Sequence, residues 1–134
     1  MRVIVCLDDR LGMLFNHRRQ SRDRVQIADM LALVGEGRLL CDPYSRILFP
    51  GEGRQPIFSD AFLEEAGAGD YCFVENRPLL PYLARIEELI VYKWNRTYPR
   101  DMVLDIDPAT LRLVESQELV GSSHEKITRE RYVR

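Results

Sequence analysis

The chain has 134 residues, 46% hydrophobic and 30% charged, which makes it the size of one domain and apolar enough for a packed core rather than a disordered tail. Lys plus Arg number 19 and Asp plus Glu 21, so the net charge of -2 excludes a global pull toward nucleic acid or anionic lipid. No apolar run approaches the ~20 residues that span a bilayer, and the Met1–Leu7 run is too short for a signal peptide, so a soluble, cytoplasmic single domain over residues 1–134 is expected.

Arg2–Leu7 is a compact β-branched run and reads as a buried strand, closed by the turn Asp8-Asp9-Arg10-Leu11-Gly12. A polar, basic loop over 16–22 follows. Ser21 is the expected N-cap of a helix that places Asp23 in its first turn, carries apolar residues at Val25, Ala28, Leu31 and Val34, and stops at Gly35. Arg38–Cys41 reads as a second strand, broken by Asp42-Pro43, and Tyr44–Phe49 is a further apolar stretch before the loop Pro50–Gly53. Ile57-Phe58 is a very short strand. Ser59 then caps a small helix running through Ala66 and closed by Gly67, and Asp70–Val74 is a strand.

Pro78 suits the first turn of a helix ending near Arg85. The continuous apolarity of Leu89–Tyr92 implies a strand buried on both faces. A polar, aromatic loop covers 94–100. Leu111–Leu119 and Lys126–Val133 alternate as an antiparallel pair around a tip at Gly121-Ser122-Ser123. The pattern predicts an α/β fold with a central mixed sheet, flanking helices and a C-terminal antiparallel hairpin.

Cys6, Cys41 and Cys72 are widely spaced within or beside apolar runs. They read as small buried side chains in a reducing compartment, and with only His17 and His124 beside them they form no metal-ligand cluster, so no metal site is expected. Only Lys93 and Lys126 are lysines, and all other basic residues are arginines.

The order of elements, together with several local strings, resembles the dihydrofolate reductase fold. The strings are Val3–Gly12, Phe73-Val74-Glu75-Asn76 through Ile86–Val91, Arg100-Asp101, Asp105–Pro108, Leu111–Ser116 and the terminal Tyr132-Val133-Arg134. The resemblance implies a reductase-like mixed sheet and, in a family member with intact motifs, a dinucleotide pyrophosphate seated on a glycine pair at a helix N-terminus. Here Glu75-Asn76 stand at that pair. Cys41–Arg46 replaces the family's Gly-Arg-x-Thr stretch, and Arg18-Arg19-Gln20 replaces its Leu-Pro-Trp. A carboxylate aimed at a pyrophosphate repels it, so no nicotinamide cofactor and no reduction of dihydrofolate are expected. Asp23 falls near the family's substrate-binding carboxylate. The strings Gly12–Asp23 and Ser122–Thr128 resemble those of small uncharacterised bacterial proteins sometimes labelled ribonuclease Z, but the H-x-H-x-D-H zinc motif which that label implies is absent.

In a reductase-like arrangement three loops converge. They bring Asn16, His17, Arg18, Arg19 and Gln20 toward Trp94, Asn95 and Arg96, and toward Ser122, Ser123 and His124. The arginines suit bidentate recognition of a phosphate or carboxylate, and Asp8, Asp9, Asp23 and Asp29 offset them, which favours one small anionic or nucleotide-like ligand over broad nucleic-acid binding. The ligand-binding set is then Asn16, Arg18, Arg19, Gln20, Asp23, Trp94, Asn95, Arg96, Ser122 and Ser123. A second reading has His17 and His124 as an acid–base pair in an RNA-binding protein or a metal-independent ribonuclease, with the Trp94 loop stacking a base. A third is a homodimeric interaction module. The Ser122–Glu125 string has no known serine-nucleophile spacing and assembles no triad by itself. No membrane partner is expected.

Overall fold

The computed structural model describes residues 1–134. Its centre is β1 (Arg2–Leu7), flanked in parallel by β6 (Tyr71–Phe73) and β7 (Glu88–Lys93), with Val3 opposite Cys72 on one side and Leu89 on the other. Beyond β6 lie β4 (Leu39–Cys41) and β5 (Ile57–Phe58), also parallel. Beyond β7 lie β10 (Ile127–Val133) and β9 (Arg112–Leu119), both antiparallel. The seven strands run in the order β5-β4-β6-β1-β7-β10-β9.

Successive side chains of a strand point to opposite faces, and β1 and β7 use both faces for core. Val3, Val5, Leu7, Leu89 and Val91 pack beneath Phe62, Leu63, Leu79 and Ile86. Ile4, Ile90 and Tyr92 face the other way, under α1 (Arg24–Val34) and the 3₁₀ segment Pro43–Leu48. Burial on both faces explains why these strands read as unbroken apolar runs. Tyr92 is fully buried, and its hydroxyl donates to Asp29 on α1 at 2.6 Å, where Arg129 of β10 also donates at 2.7 Å. That network fixes α1 on the sheet. No helix is long and apolar enough to cross a membrane.

Several local expectations need correction. The stretch expected as a loop over 16–22 contains a hairpin, in which β2 (Gly12–Phe15) pairs with β3 (Arg18–Arg19) around Asn16-His17, both at positive φ as a two-residue turn demands. β2 also pairs with β8 (Met102–Val103), so the end of the stretch expected as an aromatic loop leads into a second small sheet. The N-cap of α1 is Asp23 rather than Ser21, because the Asp23 carboxylate accepts from Val25 N and Gln26 N. The apolar stretch after Cys41 winds as 3₁₀ from Pro43, with Asp42 as its cap. The helix expected after Ser59 shortens to α2 (Phe62–Glu65), and the one expected from Pro78 is a short 3₁₀ segment, Leu80–Arg85, with Pro81 in its first turn.

Candidate functional site

The three loops do meet, and Asp23 is where they are tied together. Its side chain is fully buried. Oδ1 accepts from Val25 N at 2.8 Å, Gln26 N at 3.3 Å and Ser122 N at 3.0 Å. Oδ2 accepts from Ser123 N at 2.8 Å and from His124 Nδ1 at 3.1 Å. One carboxylate thus caps α1 and holds the β9–β10 tip against it. Burial works against its charge, but the N–H groups of Ser123 and Ser122, with His124 and Gln26, outweigh burial and hold the carboxyl well below the usual carboxylate range. Gly121 makes the approach possible, since a Cβ there would lie 2.6 Å from Asp23 Oδ2 and 2.6 Å from the His124 carbonyl.

His124 is buried between these groups and Trp94, whose ring stacks on the imidazole with centroids 4.5 Å apart and planes inclined at 18°. Because Asp23 is an acceptor only, Nδ1 carries the proton toward it, which leaves the Nε2 lone pair facing the Ser21 hydroxyl at 3.0 Å and the Tyr98 hydroxyl at 3.1 Å. The Ser123 hydroxyl donates to the Arg22 carbonyl at 2.8 Å.

The remaining expected residues divide sharply. Arg19 is committed within the chain: its guanidinium forks onto Glu75 at 2.9 and 3.1 Å, lies 4.4 Å over the Tyr44 ring, and shares Glu75 with the Ser45 hydroxyl at 2.7 Å. The residue standing where a pyrophosphate glycine would be is therefore neutralised and enclosed. Gln20 is bound to Asp8 and to the Pro99 carbonyl. Asn95 donates to the Lys126 carbonyl and to Thr128. Trp94 is buried against His124 and offers no open face to an incoming base. Asn16, His17, Arg18 and Arg96 are exposed, and no hydrogen bond connects His17 with His124 or any of its partners.

Two adjoining cavities run along α1, of about 520 and 470 Å³, and share Ile27, Leu48 and Pro50. The first opens between Arg22, Arg24, Ser122 and Ser123, with Ile47 completing its apolar wall. The second continues past Leu31 and Phe49 toward the β5 edge. Arg22 and Arg24 are exposed at the mouth, and neither guanidinium has a carboxylate partner. Neither was in the set expected from the sequence, although both belong to the arginine-rich stretch singled out there. Sequence reasoning also missed Ser21 and Tyr98 as partners of His124.

A central parallel sheet with an antiparallel C-terminal pair and α1 on one face give this chain a dihydrofolate reductase-like α/β fold. Among solved structures it is similar to a dihydrofolate reductase from Enterococcus faecalis in complex with NADP(H) and RAB-propyl. The TM-score is 0.70 over 99% of this chain and 95% of that one, at 9% sequence identity. Known protein-family descriptions and curated proteins yield no sequence match. The likeness is one of fold, as the strings along the sequence imply, and at that identity it carries no activity across.

Proposed function

We propose that this domain binds a small anionic molecule with an apolar body in the cleft along α1, its charge on Arg22 and Arg24. The observation that carries this reading is the pairing of two uncommitted guanidiniums with an apolar wall of Ile27, Ile47, Leu48 and Pro50 at one cavity mouth. Guanidinium is suited to planar carboxylate and phosphate groups, and an apolar cleft with a few charged groups at one end fixes a ligand's orientation. Asp23 lines the same mouth, with its carboxylate oxygens turned to the α1, Ser122 and Ser123 N–H groups and to His124. Glu75, locked to Arg19 just beyond the end of β6, weighs against a dinucleotide pyrophosphate there.

Thermal unfolding with phenyl phosphate and 4-phenylbutyrate as probes tests the reading. A saturable rise in midpoint is expected, at least 10-fold weaker in apparent affinity for Arg22→Ala/Arg24→Ala, and NADPH should give none. A ligand at 100 times Kd adds about 2.7 kcal/mol, which is readily detected in a domain of this size. Equal responses from wild type and double variant, or a saturable NADPH shift, would refute it.

A further inference from the structure

We propose that Ser21, His124 and Asp23 form a nucleophilic triad and that this domain hydrolyses small carboxylic esters through an acyl-Ser21 intermediate. The two distances along the relay, Ser21 Oγ to His124 Nε2 at 3.0 Å and His124 Nδ1 to Asp23 Oδ2 at 3.1 Å, are those a serine nucleophile, its base and the orienting carboxylate require. Such a constellation is recognised by geometry and roles, and neither chain order nor fold restricts it.

Each member is in the required state. Asp23 is buried, ionised and held by backbone N–H groups, so it fixes the imidazole with its proton on Nδ1. Trp94 covers the imidazole face and keeps the ring from turning. Ser21 is half-buried, the one member of the three with access to solvent. The backbone N–H groups of Ser21, Arg22 and Asp23 make no hydrogen bond within the chain. The N–H of the residue after the nucleophile is a natural donor to a developing oxyanion, and Arg22 supplies it here.

The reaction balances without any co-reactant except water. Ser21 Oγ bonds to the ester carbonyl carbon as its proton passes to His124 Nε2, and the carbonyl π pair moves onto oxygen beside the Arg22 N–H. Collapse of the tetrahedral species breaks the C–O bond to the alcohol, which leaves with the proton from Nε2. Water then adds to the acyl carbon while giving its proton to Nε2, the bond to Oγ breaks, and Oγ regains the proton as the acid departs. Tyr98, the other hydroxyl at Nε2, competes with Ser21 for the lone pair and lowers the fraction of time the serine is activated.

The test uses the full chain with a neutral fluorophosphonate probe and 4-nitrophenyl butyrate, neither of which needs the guanidiniums, so it stands or falls apart from the anion-binding reading. One phosphonyl adduct per chain is expected, mapped by peptide mass spectrometry to Ser21, with nitrophenolate release that follows it. Ser21→Ala should abolish both while unfolding at the same temperature, and Asp23→Asn should slow both ~10²-fold or more by turning the imidazole to the wrong tautomer. Tyr98→Phe, which removes only the competing hydroxyl, should label at least as fast as wild type. No adduct on folded wild type and Tyr98→Phe, or an adduct on any residue other than Ser21, would overturn the proposal.

Discussion

Replacing Asp23 with Ala removes the one group that both caps α1 and holds the β9–β10 tip. Loss of the cap costs about 1 kcal/mol. The Ser122 and Ser123 N–H groups lose their acceptor at about 1 kcal/mol each, and buried His124 loses its partner at about 1–2 kcal/mol. The total is about 4–5 kcal/mol, a large part of the roughly 5–15 kcal/mol that stabilises a domain. At this chain length each kcal/mol moves the unfolding midpoint by roughly 3–4 °C, so a fall of roughly 12–20 °C is expected. Asp23→Asn keeps the cap and the Oδ1 bonds but sets an amide NH₂ against the Ser123 N–H, and should cost about half as much.

The pH dependence has a definite sign. A carboxylate with a depressed folded pKa adds stability above its unfolded value near 4, and that stability is lost as pH falls through the folded value. Wild type should therefore weaken below about pH 4 more steeply than Asp23→Asn. Urea unfolding followed by the lone tryptophan, which stacks on His124, measures both effects. A cost below about 1 kcal/mol for Asp23→Ala, or unchanged hydrogen-exchange protection of the Ser122 and Ser123 amides, would refute the reasoning.

The Arg19–Glu75 pair should behave as a partly buried fork, with Arg19→Ala costing about 2–3 kcal/mol and a double-mutant cycle with Glu75→Gln giving a coupling of about 1–2 kcal/mol. Additive single effects would mean that the fork is not formed in solution. Burial pushes the Cys72 thiol up to about 12 and raises Cys6 and Cys41 as well. A disulfide reagent at pH 8 should therefore titrate no thiol in the folded chain and all three after unfolding in guanidinium. Rapid reaction of one thiol in the folded state would contradict this packing.

The sheet was legible because its central strands are apolar on both faces: Arg2–Leu7 has the bounds expected from its β-branched run, and the C-terminal pair falls within a residue of its alternation. The two-residue strand Met102–Val103 and the four-residue Gly12–Phe15 are too short to show a period, and they form by pairing in the small three-stranded sheet. Helix α1 has a weak apolar stripe, with Gln26 buried and Leu31 about a third exposed, so its cap and its glycine stop were better guides than its periodicity. The convergence of the loops was legible from the reductase-like order of elements. The pairings within them were not, because Ser21 and His124 are 103 positions apart and Arg19 and Glu75 are 56 apart.

That distance in sequence decides what the arginine-rich stretch is for. Arg19, Arg22 and Arg24 look equivalent along the chain, yet Arg19 is spent on Glu75 while Arg22 and Arg24 flank a cleft with no carboxylate partner. Asp23 lies between the latter two and forms an ion pair with neither. Instead its lone pairs are taken by α1, the Ser122-Ser123 backbone and His124, and its charge acts on the imidazole. The Asp23 carboxylate is turned inward, and the half-buried hydroxyl within hydrogen-bond reach of His124 Nε2 is that of Ser21. Glu75 and the hairpin tip that Gly121 admits both close on the edge of the sheet where β6 and β7 end. The proposed ester chemistry then rests on the Ser21 hydroxyl, next in the chain to Arg22 at the cleft mouth.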